Sequence, residues 1–420
     1  MSAPSTPPRH KNPVLRTPQI NLPPVARGRV ALHLTAAAAE GRFELQVCED
    51  CGAVQYPPRE ACGACLSSRL VWRKQSGLGE LLASTTLHHS NDLYFHERLP
   101  WRVAFVRLDD GPTVMAHVAS GVGDAPTRVR VHAYLDRSGQ GVLVAGPSEG
   151  GQGAQGMADD RVLHEMTSDP RGRRVLVTDG KTPVGQALVR ALIGAGARSV
   201  WAGRAEPWKK LGGMEEIAAL PGVEIVPLDV TDVKSVTELA GSIGGQVEIL
   251  VNNAEHHRTG GIADQRGTGT ARDEMEINYF GLLRLAQAFA PALKSRAADG
   301  KNGASAWVNV LSIQALANFP PQGTFSASKA AAFSLSQCLR AELQPAGIRV
   351  VNVFPGPVDD EWNQRLLPPK LGPAALAKAV VQALRDGVED VYPGDVARDW
   401  LARWKDDPKV LERELAIHGS

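Results

Sequence analysis

From Arg174 onward the chain alternates short apolar runs with longer amphipathic segments, a pattern that few folds accept. The runs VLVT, VWAG, EIVPL, EILVNNA, WVNVLS and IRVVNVF have strand length. Between them lie segments such as GQALVRALIGAGA, SVTELAGSI, NYFGLLRLAQAFAPAL and KAAAFSLSQCLRAEL. A strand that is apolar along its whole length has to be covered on both faces, and helices with one apolar face can cover it. The expected fold of residues 171–420 is therefore an α/β Rossmann domain, a doubly wound parallel sheet between two helical layers. The charges of RDWLARWKDDPKVLERELA read as the solvated face of a terminal helix.

At 420 residues the chain exceeds what one core can hold. Between Gly77 and Pro147 the signals change to short β-branched runs separated by glycine turns, including WRVAFVRLDD, TVMAHVASG and RVRVHAYLD. About five strands in about 70 residues fit a small closed barrel, assigned here to residues 75–147. The glycines of SEGGQGAQG mark residues 148–170 as a linker. Ahead of the barrel, residues 29–74 hold a short helix, a strand in which Phe43, Leu45 and Val47 alternate with polar residues, and a cysteine cluster. Residues 1–28 are proline-rich without periodicity and read as a disordered tail.

Four of the five cysteines form two CxxC pairs, Cys48 with Cys51 and Cys62 with Cys65. Two thiolates three positions apart can turn around one ion, and two such knuckles supply the tetrahedral set that Zn2+ prefers. Gly52 and Gly63 suit the tight turns there. A closed four-thiolate shell leaves no open position, so the expected metal is structural zinc; iron in the same shell stays open. Cys338, on an amphipathic segment, is expected in the core.

The stretch FELQVCEDCGAVQYPPREACGACLSS followed by the expected barrel resembles the DUF35 family, a zinc ribbon joined to an OB-fold, over roughly residues 30–147. Its most telling part is Tyr56, Pro57, Pro58 and Arg59 set between the two CxxC pairs. The resemblance implies a module that binds acyl-CoA or braces thiolase-fold enzymes acting on carbon–carbon bonds of CoA thioesters. Arg59, Trp101 and Arg102 are surface candidates for that ligand, against a plainer reading of Trp101 as barrel core and the arginines as solvated.

The segment VLVTDGKTPVGQALV reads as strand, turn and helix start, where glycines let backbone N–H groups approach a pyrophosphate. Over about residues 171–400 the chain resembles the short-chain dehydrogenases/reductases, whose turn is TGxxxGxG. Thr178 and Gly185 match, and Gly180 lies inside the turn, but Asp179 and Pro183 replace two glycines. A carboxylate about 4 Å from a phosphate costs about 1 kcal/mol in water and more when buried, and proline has no N–H to offer. Other positions carry the resemblance further. Asp229 and Val230 are implied to flank an adenine, Arg204 to sit near a ribose 2′-phosphate so that any cofactor is NADP, and Asn252, Asn253 and Ala254 to begin an NNAG in which Glu255 replaces the glycine. Asn278 matches the helix asparagine, Ser312 the catalytic serine, and Pro355 and Gly356 a PG that follows the sixth strand.

The decisive motif is FSASK, where the family has YxxxK. There the tyrosine hydroxyl moves a proton while the lysine lowers its pKa from about 10. Lys329 is present and Phe325 stands in place of the tyrosine, so the volume is filled and the acid/base is gone. General acid–base catalysis is worth roughly 10²–10⁴-fold. Together with Asp179, Pro183 and Glu255, this points to a non-catalytic domain in which Asn278, Ser312, Phe325 and Lys329 are remnants.

Two functions follow. One is an accessory subunit of a thiolase-fold complex that makes or cleaves carbon–carbon bonds in acyl-CoA, homodimerising through the two long helices. The other is an NADP-dependent 3-hydroxyacyl-CoA dehydrogenase with an atypical proton donor. A net charge of +1 and few aromatics argue against nucleic acid or an anionic membrane as partner. No apolar run is long enough to span a bilayer, and the N-terminus lacks a secretory core, so a cytoplasmic protein is expected. The pairs His88–His89 and His256–His257, read as strand neighbours facing opposite ways, are expected to be solvated.

Overall fold

A computed structural model describes residues 21–25, 28–148, 160–206, 212–263, 266–298, 303–361, 363–364 and 366–418. The first 20 residues of the proline-rich stretch and residues 149–159 of the glycine-rich linker lie outside the described residues.

The ribbon is a small antiparallel sheet of β1 (Glu44–Cys48), β2 (Val54–Gln55) and β3 (Leu70–Lys74), with β1 in the middle. It leads into the barrel strands β4 (Leu78–Leu87), β5 (Trp101–Leu108), β6 (Thr113–Val118), β7 (Thr127–Leu135) and β8 (Gly141–Pro147), which close in the order β4-β5-β6-β8-β7. Alternation puts Val129, Val131, Ala133 and Leu135 of β7 inside, where they meet Leu81, Val106 and Val114. The helix Leu32–Ala39 covers the same core with Leu34 and Ala38.

The C-terminal part is an all-parallel sheet of β9 (Arg174–Val177), β10 (Ser199–Arg204), β11 (Val223–Pro227), β12 (Ile249–Asn252), β13 (Ala306–Val310), β14 (Arg349–Val353) and β15 (Asp390–Val391). The spatial order is β11-β10-β9-β12-β13-β14-β15. Counted from β9, this is the 3-2-1-4-5-6 Rossmann order with one further strand, which places its switch point between β9 and β12. One helical layer buries Leu285, Phe289 and Leu339 against Leu250 and Trp307; the other buries Leu188, Leu192, Val380 and Leu384 against Val175 and Val351. The doubly wound fold, the barrel and the ribbon are all as the sequence pattern implies.

Three expectations need correction. Residues 160–166 of the expected linker form a capped helix: Asp160 accepts from the Val162 and Leu163 amides at 2.8 and 3.0 Å, and Val162, Leu163 and Met166 pack on Trp101 and Val144 of the barrel. The terminal charged segment is two helices, Asp395–Asp406 and Pro408–His418, because a proline at 408 can start a helix but not continue one. Their inner face sets Leu411 and Leu415 on Ala317, with Trp400 and Trp404 beside them. Cys338 is exposed, since its helix turns Ser336 and Leu339 inward and Cys338 falls on the outer face. Among the described residues no helix is long and apolar enough to cross a membrane.

Candidate functional site

The cleft at the C-terminal ends of β9 and β12 is where a doubly wound sheet positions a ligand. Thr178, directly after β9, ties the two strands together: its hydroxyl accepts from the Asn253 and Ala254 amides at 3.0 and 3.2 Å and donates to Asn252 Oδ1 at 3.2 Å. Asn253 completes the clamp, its Oδ1 accepting from the Asp179 amide at 3.0 Å and its Nδ2 donating to the Asp179 carbonyl at 2.7 Å.

The turn itself is turned inward. The Asp179 carboxylate accepts from the Lys181 amide at 3.0 Å and from the Thr182 amide, so backbone donors that could face an anion face their own side chain. Burial pushes the Asp179 carboxyl up to about 6, against the pull of Lys181. Thr182 caps the helix Pro183–Gly194 by accepting from the Gly185 amide at 3.1 Å, and Pro183 takes the first helical position. The retained glycines answer to packing: a Cβ on Gly185 would overlap the Asp179 carbonyl, and one on Gly180 would press on Ala202. At the end of β10, Arg204 donates to the Glu206 carbonyl at 3.1 Å. Asp229 accepts from the Thr231 amide and hydroxyl at 2.9 and 2.7 Å, and Val230 is buried beside Gly281.

Deeper in the cleft the structure joins residues that sequence reasoning treated separately. Lys329 is only 2% exposed; its Nζ lies 2.7 Å from Glu255 Oε2 and donates to the Val310 carbonyl at 3.1 Å. The other Glu255 oxygen lies 3.0 Å from His257 Nδ1. Burial alone would raise the Glu255 carboxyl, but Lys329 and His257 outweigh it and hold it down at about 2. Burial pulls the His257 imidazole down, yet Glu255 keeps it above its ordinary value. Phe325 is buried with its ring centroid 5.1 Å from that of His257 and 5.5 Å from Lys329 Nζ. Asn278, in a π-helical turn Glu276–Gly281, fixes the same loop by accepting from the His256 amide at 3.0 Å and donating to its carbonyl at 2.8 Å. Ser312 follows β13 and accepts from the Gln314 amide at 3.2 Å.

The expectation for His257 is thus overturned. Residues 253–260 are irregular rather than a strand, so the alternation argument fails there. His257 is buried, while His88 and His89 are exposed as expected. Glu255 gave a signal, a charge at a glycine position, but its partner lies 74 positions away and no spacing rule links them.

The four cysteine sulfurs lie within 4.8 Å of one another, with Cys48–Cys65 and Cys51–Cys62 both at 3.6 Å. Four sulfurs around one ion at about 2.3 Å would be about 3.8 Å apart, so the cluster can coordinate a metal. The Cys65 and Ala64 amides pull the Cys62 thiol down to about 6. Gly52 takes the left-handed conformation in the first knuckle, as expected (φ 73°). In the second, the left-handed residue is Leu66 (φ 63°) and not Gly63, and it is 81% exposed. Trp101 is buried, but between the barrel wall and the helix Arg161–Met166 and not in the barrel interior, donating from Nε1 to His117 Nδ1 at 2.9 Å. Arg102 holds the Val122 and Gly123 carbonyls at 2.7 and 2.9 Å, and Arg59 is exposed.

Comparison with known proteins finds three family matches along the chain. Residues 35–71 match the model described as the ChsH2 rubredoxin-like zinc ribbon domain, residues 72–133 the ChsH2 C-terminal OB-fold domain, and residues 173–370 the short chain dehydrogenase model. The chain is 33% identical over 191 residues to dehydrogenase/reductase SDR family member 7B of Xenopus tropicalis, covering 43% of this chain and 60% of that relative. It is 30% identical over 215 residues to an uncharacterised oxidoreductase of Staphylococcus aureus, covering 50% of this chain and 89% of the relative. Among solved structures, a short chain dehydrogenase from Burkholderia cenocepacia in complex with NADP is 36% identical with a TM-score of 0.53, covering 59% of this chain and 98% of that one. A short-chain dehydrogenase from Streptomyces avermitilis is 26% identical with a TM-score of 0.50, covering 58% and 96%.

Proposed function

This chain belongs to the short-chain dehydrogenase family and carries a DUF35/ChsH2-type zinc ribbon and OB-fold ahead of that domain, and from this premise we propose that it is a non-catalytic accessory subunit of an acyl-CoA-processing complex. The observation that carries the reading is the Glu255–Lys329 pair at 2.7 Å beneath Phe325. A lysine so paired no longer presents a free positive charge to the cleft, and the residue it would have activated has no hydroxyl.

In this reading the ribbon binds one structural Zn2+ through Cys48, Cys51, Cys62 and Cys65, and the ribbon and barrel dock on a thiolase-fold partner and help to hold its acyl-CoA. The partner's chemistry is Claisen-type or retro-aldol cleavage or formation of a carbon–carbon bond, on a catalytic centre of its own. The dehydrogenase domain serves as platform and homodimerisation module. The pairing surface is that of the two long helices Leu282–Ala297 and Gly323–Leu343, with exposed Phe280 just ahead of the first. Tagged chain purified from its own organism should bring down a thiolase-fold chain in near-equal amount. Recovery of the chain alone, with turnover of its own, would reverse the reading.

A second reading has one observation in its favour. His257, whose pKa Glu255 raises above its ordinary value, lies against the Phe325 ring, where a proton donor could stand in the old tyrosine's neighbourhood. An NADP-dependent 3-hydroxyacyl-CoA dehydrogenase using it would seat the cofactor against Thr178, Gly180, Gly185, Arg204, Asp229, Val230, Asn252, Asn253 and Ala254, as the NADP-bound Burkholderia relative suggests. The Asp179 carboxylate in the turn argues against it.

A further inference from the structure

A cavity of about 300 Å³ lies where the barrel meets the opposite edge of the parallel sheet, the N-terminal ends of β9 and β14. Its wall holds four arginines from both domains: Arg340 is paired with Glu389 and Asp390, which leaves Arg137, in the turn after β7, Arg173, just before β9, and Arg349, the first residue of β14. Arg173 is 7% exposed, and Arg349 is deep enough that burial pulls its guanidinium down to about 10. Both are held by neutral partners. Arg173 donates to the carbonyls of Asp169 and Gly303 at 3.0 and 3.2 Å and faces His164 Nε2 at 3.4 Å. Arg349 donates to Ser168 Oγ at 3.2 Å and to the carbonyls of Leu135 and Met166, each at 3.0 Å.

Among the described residues neither Arg173 nor Arg349 has a carboxylate within 4 Å. The acids that line the same cavity have closer partners and act on these two arginines only from a distance, Glu165 on Arg173, and Glu389 and Asp136 on Arg349. Glu165 meets Arg98 at 3.0 Å and Tyr94 Oη at 3.1 Å, leaving Arg137 at 3.9 Å; Glu389 pairs with Arg340 at 3.5 Å; Asp136 accepts from the Gln140 amide in its own turn. Burying a charge is costly unless an opposite charge accompanies it. Carbonyl oxygens orient a guanidinium without neutralising it. Buried Arg173 and half-buried Arg349 and Arg137 gather positive charge around a cavity of this size, and the N–H groups they do not spend on the protein can reach the oxygens of a phosphate group.

We propose that this interdomain cavity binds a phosphate group, free or as the monoester end of a larger ligand, and that the bound anion clips the barrel to the Rossmann sheet. The site stands apart from the dinucleotide cleft, which opens at the C-terminal ends of the same strands. It does not depend on whether the chain is catalytic. Nor does it rest on any thiolase-fold partner.

The test is thermal unfolding and calorimetric titration of the full chain with inorganic phosphate at constant ionic strength, with acetate as control. A ligand that binds only the folded state raises the midpoint as its concentration exceeds Kd. Phosphate should raise the midpoint saturably and acetate should not. Arg137→Gln should lower the unliganded midpoint, since buried Glu165 loses a neighbouring charge, yet leave a folded chain that binds phosphate at least about tenfold more weakly, as loss of a charged partner implies. Arg173→Gln should bind no phosphate, or fail to fold; if it fails, Arg137→Gln carries the test. A larger ester such as a nucleoside 3′-monophosphate binding tighter than free phosphate assigns the monoester source, and the reverse assigns the free anion. Equal responses to phosphate and acetate, or an Arg137→Gln protein titrating like the parent, overturn the proposal.

Discussion

Glu255 Oε2 lies 2.7 Å from Lys329 Nζ, so the charge that entered one motif of the dehydrogenase fold neutralises the lysine retained in another. The two changes are one structural event. A carboxylate at the loop after β12 reaches the helix Gly323–Leu343, and the phenylalanine whose ring lies 5.5 Å from the lysine has no hydroxyl for it to activate.

Restoring the tyrosine alone is therefore not enough. Phe325→Tyr should give no measurable NADPH-dependent reduction of a 3-ketoacyl thioester, because Lys329 stays paired with Glu255 and Asp179 still fills the turn. The triple change Phe325→Tyr, Glu255→Gly and Asp179→Gly should gain saturable nucleotide binding, read by nicotinamide fluorescence. Activity from Phe325→Tyr alone would show that the pair does not silence the lysine.

Removing one partner leaves the other buried. Glu255→Gln should lower stability to urea by about 3 kcal/mol, since it strands the Lys329 ammonium. The double change Glu255→Gln with Lys329→Met should lose less than the two single losses added together. Additive losses would mean that the two groups are not coupled.

The same pair sets an acid limb. Glu255 titrates near 2 when folded and near 4.5 when unfolded. Its stabilisation is thus complete above about pH 4.5 and is lost as the pH falls towards 2. Asp179 acts in the opposite sense: its folded pKa is raised to about 6, so its ionisation weakens the fold above that pH and the penalty is relieved on acidification through 6 towards 3.8. Midpoints of urea unfolding between pH 3 and 8 should show Glu255→Gln flattening the acid limb and Asp179→Asn raising stability most at pH 8.

Much of this was legible in the sequence, and the exceptions share a cause. The sheet, the barrel and the four ligating cysteines rest on periodicity and short spacing, which a sequence displays directly. The role of His257 does not, because its loop has no period and its partners Glu255 and Phe325 are brought to it by tertiary packing. Cys338 shows a finer limit: its amphipathic segment is a helix as expected, but the side of the stripe that faces inward is decided by one residue's rotation. Arg173 and Arg349, just before or at the start of their strands, belong to no motif, and only tertiary packing brings them to one cavity.

The ribbon supplies two expectations of its own. The purified chain should carry close to one zinc, and Cys51→Ser should lose it together with the ribbon's fold while the Rossmann signal in circular dichroism persists. Leu66→Gly should stabilise the metal-loaded chain by about 1 kcal/mol, because a branched residue in the left-handed region costs about 1–2 kcal/mol and this side chain is exposed. A destabilised Leu66→Gly protein would mean that Leu66 makes contacts that matter more than its backbone.

The most direct test of the non-catalytic reading is a single assay on the unmodified chain. Purified protein is incubated with NADPH and a 3-ketoacyl-CoA, and with the corresponding 3-hydroxyacyl-CoA and NADP, while absorbance of the reduced nicotinamide is followed. With Phe325 in place of a tyrosine and Lys329 bound to Glu255, the rate should equal that of the protein-free blank in both directions. Saturable turnover that disappears in His257→Gln would contradict the account and make this chain a dehydrogenase with a histidine donor.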